Sequence, residues 1–166
     1  MTKLDEPWVK MLGELSRAGV EFIVIGGAAA VLNSVVYRTE DIDIVHRRDA
    51  ENIERLMAVL ERMDAHFRND MQRRKLRPRA SDFRGHGHIL LRTIHGQLDV
   101  LCEITGQRGY EELLPHSVER LEEGLVLKVL DLPMLITVKT EAGREKDFRA
   151  IPAMLVALEE RKKRNP

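Results

Sequence analysis

From Glu6 to Ala18 apolar side chains recur at Trp8, Val9, Leu12 and Leu15, the spacing of a helix with one buried face, and Gly19 supplies a stop. Val20 to Ile25 is instead a nearly unbroken apolar run rich in β-branched residues, which predicts a buried strand. Gly26-Gly27 breaks that run, and the small residues of Ala28 to Asn33 predict a short helix. Asp41-Ile42-Asp43-Ile44-Val45 alternates polar and apolar positions, as a half-buried strand does. Ala50 to Met63 returns to helical spacing, with Ile53, Leu56, Met57 and Leu60 on one face and Asp49 placed to cap it.

Arg68 to Arg84 has no periodicity and is basic. His88 to Thr93 and Gln97 to Glu103 predict two strands joined by a tight turn at His95-Gly96. Tyr110 to Leu114 is long enough for one helical turn, and Leu125 to Leu130 predicts a further strand. Asp131 caps a helix to Ala142 that tolerates Pro133 in its first turn, Gly143 ends it, and Lys146 to Lys163 forms the last helix. The resulting order, α-β-α-β-α-β-β and then helices, indicates an α/β (α+β) domain: a mixed β-sheet flanked by helices. We expect one domain over residues 1–166, with a core at about 20–130 and a C-terminal helical extension at about 131–164.

Composition narrows the class. Apolar residues are 43% and charged residues 33%, an ordinary balance for a soluble domain, but only 4% are aromatic, so aliphatic side chains must fill the core. Lys plus Arg equals Asp plus Glu at 27 each, so any affinity for a polyanion must come from local clustering. A single cysteine, Cys102, excludes an intrachain disulfide. The polar stretch Met1 to Lys10 is no secretory signal, and no apolar run nears the roughly 20 residues of a membrane span. A cytoplasmic setting with no membrane partner is the expectation.

The candidate chemistry lies in the acids. On a strand, Asp41 and Asp43 share a face while Ile42 and Ile44 enter the core. Two carboxylates so placed repel unless a cation compensates, and hard oxygen ligands suit Mg²⁺ or Mn²⁺. Taken alone, such a tripeptide is common and more often marks a wet strand face. Asp99 is a third carboxylate, set within the apolar Leu98-Asp99-Val100-Leu101; if its strand neighbours that of Asp41, three acids converge. Gly26-Gly27 adds a place where the backbone can approach a ligand closely, at a strand-to-helix junction of the kind that receives phosphates.

Gly26-Gly27 followed by Thr39-Glu40-Asp41-Ile42-Asp43-Ile44 resembles the signature of the nucleotidyltransferase fold of the DNA polymerase β superfamily. The likeness is to its small bacterial and archaeal members, including the nucleotidyltransferase toxins of toxin–antitoxin pairs. It continues through Gln97-Leu98-Asp99-Val100-Leu101 and Leu130 to Ile136, then Lys139 and Ala142-Gly143-Arg144-Glu145-Lys146-Asp147, covering about residues 20–155. The resemblance implies that Asp41 and Asp43 hold two Mg²⁺ or Mn²⁺ ions, and that Asp99 ligates the catalytic one and helps deprotonate an acceptor hydroxyl. It implies that Gly26 and Gly27 cradle the triphosphate of an NTP, with Thr39 beside them, and that Lys139 reaches the β- or γ-phosphate. The implied reaction moves a nucleoside monophosphate to RNA, protein or a small molecule. Ser34 stands where relatives carry glycine, and Tyr37 where they carry arginine, with Arg38 next to it as the expected substitute. Those departures motivate the alternative of an inactive nucleotide-binding or partner-binding module.

The segment 68–84 holds Arg68, Arg73, Arg74, Lys75, Arg77, Arg79 and Arg84 against only Asp70 and Asp82, a candidate surface for an RNA acceptor. A solvated loop paired with neighbouring acids is the plainer reading. His86 and His88 have no third ligand at zinc spacing and read as surface residues. By the resemblance, so short a C-terminal region is expected to lack a large acceptor-binding domain, leaving substrate to the basic segment or to a second copy in a homodimer; the likeness to toxins of toxin–antitoxin pairs implies an antitoxin-like protein as a further candidate partner.

Overall fold

The computed structural model describes residues 4–166; the first three residues of the polar N-terminal stretch lie outside it. Helix α1 (Glu6–Arg17) leads into strand β1 (Phe22–Ile25), helix α2 (Gly26–Leu32), strand β2 (Asp41–His46) and helix α3 (Ala50–Arg62). Strands β3 (His66–Phe67), β4 (His88–Thr93) and β5 (Gly96–Leu101) follow, then the single turn α4 (Tyr110–Leu113). Strands β6 (Ser117–Glu122) and β7 (Leu125–Leu130) precede helices α5 (Leu132–Ala142) and α6 (Glu145–Arg164). The caps form as their residue types dictate: Asp49 accepts from the Asn52 amide at 3.3 Å and Asp131 from the Met134 amide at 2.8 Å.

The strands make one mixed seven-stranded sheet in the order β3-β4-β5-β2-β1-β7-β6. Strand β1 is antiparallel to β2 and parallel to β7, and β2 is parallel to β5. Helices α1 and α3 touch each other, α2 packs on β1, β2 and β7, and α5 bridges α2 and α6. Ile42, Ile44, Leu98 and Val100 are fully buried, as the alternation requires. Cys102 is buried too. No helix among the described residues is long and apolar enough to cross a membrane.

Three differences from the sequence reading have physical causes. Helix α2 begins at Gly26, so the glycine pair forms its first turn rather than a break ahead of it. Strand β6 was not expected: it lies at the sheet edge, its Leu121 is 74% exposed, and it lacks an inward apolar stripe. It is held by the ladder to β7 through a two-residue turn in which Glu123 (φ 47°) and Gly124 (φ 81°) are both left-handed, a hairpin made without the usual Asn-Gly or Asp-Gly signal. The segment 68–84, without periodicity in the sequence, is exposed over residues 71–77 but anchored at both ends, by the Arg68 amide on the Leu90 carbonyl and by Phe83. Phe83 is fully buried, meets the His46 ring edge-on at 5.6 Å, and accepts a 2.8 Å hydrogen bond from His46 Nε2 at its carbonyl.

Candidate nucleotide and metal site

Strand pairing brings the acids together. In the parallel ladder of β2 and β5, Asp43 lies opposite Asp99 and Asp41 opposite Gln97, so the three carboxylates share one sheet face. A carboxylate oxygen of each lies within 4.8 Å of the others. At that separation each ionised pair repels by roughly 3 kcal/mol at an effective dielectric of about 20. Burying Ile42 and Ile44 behind them contributes about 1.5–3 kcal/mol per side chain, enough to keep the strand in register. The acids must therefore find relief within the site.

Two kinds of relief are present. The Arg68 guanidinium grips Asp99 with both Nη atoms, Nη2 donating to Oδ2 at 3.1 Å, and Nη2 lies 3.7 Å from Asp41 Oδ2. Proton retention supplies the other. Burial first, then the charges of Asp41 and Asp99, push the Asp43 carboxyl up to about 8. Burial and the Asp99 charge also raise Asp41, against the pull of Arg68.

Asp43 makes the stability of the metal-free protein pH-dependent. The unfolded carboxyl releases its proton near 3.8 and the folded one near 8, so the folded state binds more protons across that window. Stability is expected to fall as pH rises from about 5 to 8 and to level off above it. Thermal melts of the wild type and Asp43→Asn across that range isolate the effect. Parallel pH profiles for the two chains would contradict it.

The backbone around the acids is shaped for close approach. Gly26 has φ +63°, and a Cβ there would fall 2.2 Å from Asp43 Oδ2. A Cβ on Gly27 would fall 2.6 Å from Thr39 Cβ and 2.8 Å from the Tyr37 ring. Thr39 Oγ1 donates to the Asp41 carbonyl at 3.1 Å and lies 3.4 Å from Asp41 Oδ1, orienting that carboxylate.

Across the cleft, Asp147 is fully buried and receives Lys139 Nζ at 3.3 Å and Arg144 Nε at 2.7 Å. Burial alone would raise its pKa, but the hydrogen bonds from Arg144 and Lys139 outweigh that and hold the carboxyl below its usual value. The reversal of the chain at Gly143 thus places two cations opposite the acids.

Asp41, Asp43, Asp99, Gly26, Gly27, Thr39 and Lys139 all line one cleft of about 410 Å³. Arg38 does not line it; it is exposed, and Tyr37 occupies the wall instead. Arg68, expected only as one cation of the candidate RNA-binding segment, and Tyr37, expected only as a departure from the family pattern, both line the cleft. The signal for Arg68 was its position: it follows β3, whose pairing with β4 carries it toward Asp99, but a two-residue strand has no legible period. Arg73, Arg74, Lys75, Arg77, Arg79 and Arg84 are exposed, Arg74 pairing with Asp70 and Arg77 with Asp64. His88 reaches the cleft wall and His86 pairs with Glu103.

The donor set fits a hard divalent cation. Oxygens coordinating Mg²⁺ at about 2.1 Å lie at most about 4.2 Å apart, so the carboxylates need close by only some tenths of an ångström. A carboxyl that burial and two neighbouring acids keep protonated up to about 8 is also one that a cation would readily ionise.

No protein-family model matches the sequence, and no curated protein matches it significantly. Solved structures do match the whole arrangement of sheet and helices. The lincosamide antibiotic adenylyltransferase LnuA, lincomycin-bound, superposes with a TM-score of 0.62 at 12% identity, covering 93% of this chain and 98% of that one. The chain has the nucleotidyltransferase fold. ANT(2")-Ia in complex with adenylyl-2"-tobramycin matches at TM-score 0.60 and 15% identity, over 92% of this chain and 88% of that chain. An antigenic nucleotidyltransferase-like protein from Paracoccidioides brasiliensis matches at 0.54 and 18%, over 89% and 74%. The nucleotidyltransferase fold here includes the C-terminal helices, since those shares extend over nearly the whole chain.

Proposed function

We propose that this chain is a metal-dependent nucleotidyltransferase that moves a nucleoside monophosphate from an NTP to an acceptor hydroxyl. The observation that carries the reading is the meeting of Asp41, Asp43 and Asp99, from two neighbouring strands, beside Gly26 and Gly27 in a nucleotidyltransferase fold.

Asp41 and Asp43 would hold the cations, Mg²⁺ or Mn²⁺, and Asp99 would complete the site on the acceptor side. When bound, such ions polarise the phosphoryl oxygens and clamp attacking and leaving groups for an in-line displacement. The chain's own groups do the rest. Gly26 and Gly27 let Asp43, Thr39 and Tyr37 pack directly against the start of α2 beside the space proposed for the triphosphate, Thr39 orients Asp41, and Lys139, steadied by Asp147, offers charge to the outer phosphates. Asp99 accepts the proton or hydrogen bond of the acceptor hydroxyl. The bond from that oxygen to the α-phosphorus forms as the bond to the bridging oxygen breaks, and pyrophosphate leaves.

The exposed cations Arg73, Lys75, Arg79 and Arg84, on the segment that begins at Arg68, support RNA as acceptor. Incubating the protein with each α-labelled NTP and total RNA, with Mg²⁺, Mn²⁺ or chelator, tests both parts. Labelled RNA that depends on metal and declines steeply with salt is the expected result. Label on a small molecule or protein would redirect the acceptor, and metal-dependent NTP binding without any labelled product would leave a binding module.

A further inference from the structure

We infer that Arg68 is a working part of this site that changes partners: it neutralises the carboxylates while no cation is bound, and passes to the phosphates when cation and nucleotide enter. The inference rests on the nucleotidyltransferase reading and adds to it a residue with two successive roles.

The sheet itself aims Arg68 at the acids. Its amide donates to the Leu90 carbonyl at 3.1 Å; Leu90 lies opposite Asp99 on β5, and Asp99 lies opposite Asp43 on β2. Arg68, Leu90, Asp99 and Asp43 therefore form one row across the strands, projecting from the same face. The guanidinium reaches over Leu90 to the carboxylates, and its side chain is only 17% exposed. The backbone is anchored while the long side chain carries the reach.

This arrangement and a bound dication compete for the same carboxylates. Both oxygens of Asp99 are engaged by the two Nη atoms, and Nη2 also lies 3.7 Å from Asp41 Oδ2. Each Asp99 oxygen keeps a second lone pair, so the conflict with a cation is one of charge and space rather than of bond count. A guanidinium left in place would then sit beside a double positive charge in a partly buried site, where repulsion is weakly screened. Arginine cannot escape by losing its proton, so it must move.

Where it goes follows from the charges around it. The nearest acid along the chain, Asp70, is occupied by the amide and Nε of Arg74. The far wall of the cleft carries Lys139, Arg144 and Lys146. A triphosphate between that wall and the acids would be the anion within reach, and a planar guanidinium fork matches two phosphate oxygens as well as it matches a carboxylate.

The test separates the two roles by giving them opposite signs. Mn²⁺ alone is titrated calorimetrically into wild type and Arg68→Met, which keeps the stem and removes the charge, with thermal melts confirming that both are folded. Arg68→Met is expected to bind Mn²⁺ about tenfold tighter, equivalent to about 1.4 kcal/mol. A non-hydrolysable NTP titrated at saturating Mn²⁺ is expected to bind that variant about tenfold more weakly. Arg68→Lys, with charge but no fork, should fall between on Mn²⁺ and share the loss on NTP. Unchanged or weaker Mn²⁺ binding in Arg68→Met, or unchanged NTP binding, overturns the inference while leaving the nucleotidyltransferase reading intact. Absence of Mn²⁺ binding in every chain overturns both.

Discussion

Asp43→Asn is expected to abolish nucleotide transfer while raising the melting temperature of the metal-free protein. The two effects have one cause. Asp43 faces Asp41 and Asp99 and is held in a buried setting that disfavours its ionised form until pH about 8. An amide of the same shape removes both the repulsion and the cost of desolvating a charge, so the fold gains. The same change removes a charged oxygen from a site proposed to hold a dication, and the transition state loses the charge stabilisation that the ion supplies. Losses of about a hundred- to a thousandfold are the scale for removing one preorganised electrostatic element from such a site. The variant should also lose Mn²⁺ binding in a direct titration. The measurements are labelled transfer under saturating metal and a thermal melt near pH 8, where the wild-type carboxyl is substantially ionised. Transfer that survives Asp43→Asn would remove the acidic site from the chemistry, whatever the melt shows.

Asn33→Ala is expected to produce a large loss of stability although the residue lies outside the cleft. Asn33 is fully buried at the end of α2. Its Nδ2 donates to the carbonyls of Ala29 and Leu130, each at 2.8 Å, and its Oδ1 accepts from Arg120 at 3.2 Å and Arg161 at 3.3 Å. Arg161 also donates to the Asn33 carbonyl at 2.6 Å. One side chain thus ties α2, the end of β7, the edge strand β6 and the last turn of α6 together. Removing it strands the Leu130 carbonyl and leaves Arg161, already short of solvent, with fewer acceptors. The expected cost is about 3 kcal/mol, or roughly 6–12 °C in melting temperature for a domain of this size. Chemical denaturation of the two chains measures it, and a loss below about 1 kcal/mol would show that the network is replaceable by water. Asn33→Asp separates donor from acceptor: it keeps Oδ1 for the arginines but turns an oxygen toward two carbonyls, so it too should destabilise.

The linear order of residues carried most of the elements and the main candidates. Alternation placed Asp41 and Asp43 on one face because the isoleucines between and after them had to be buried; that argument needs no neighbour. Helix α3 was legible from its periodic face and the cap at Asp49, and α5 from the cap at Asp131, Pro133 in its first turn and the stop at Gly143. Strands β3 and β6 were not, since a two-residue strand and an exposed edge strand take their form from the partner that pairs with them. The proximity of Asp99 to Asp43 depended on a parallel pairing between segments more than fifty residues apart, which only the folded sheet decides. The same holds for Arg68, one cation among several in its stretch until the row through Leu90 aims it inward, and for Arg38, which adjacency to Tyr37 suggested and the path of the chain turns to solvent. Local pattern records which side of an element must be dry. Which charges then face each other on the wet side is set by long-range pairing, and that is where the chemistry of this cleft was decided.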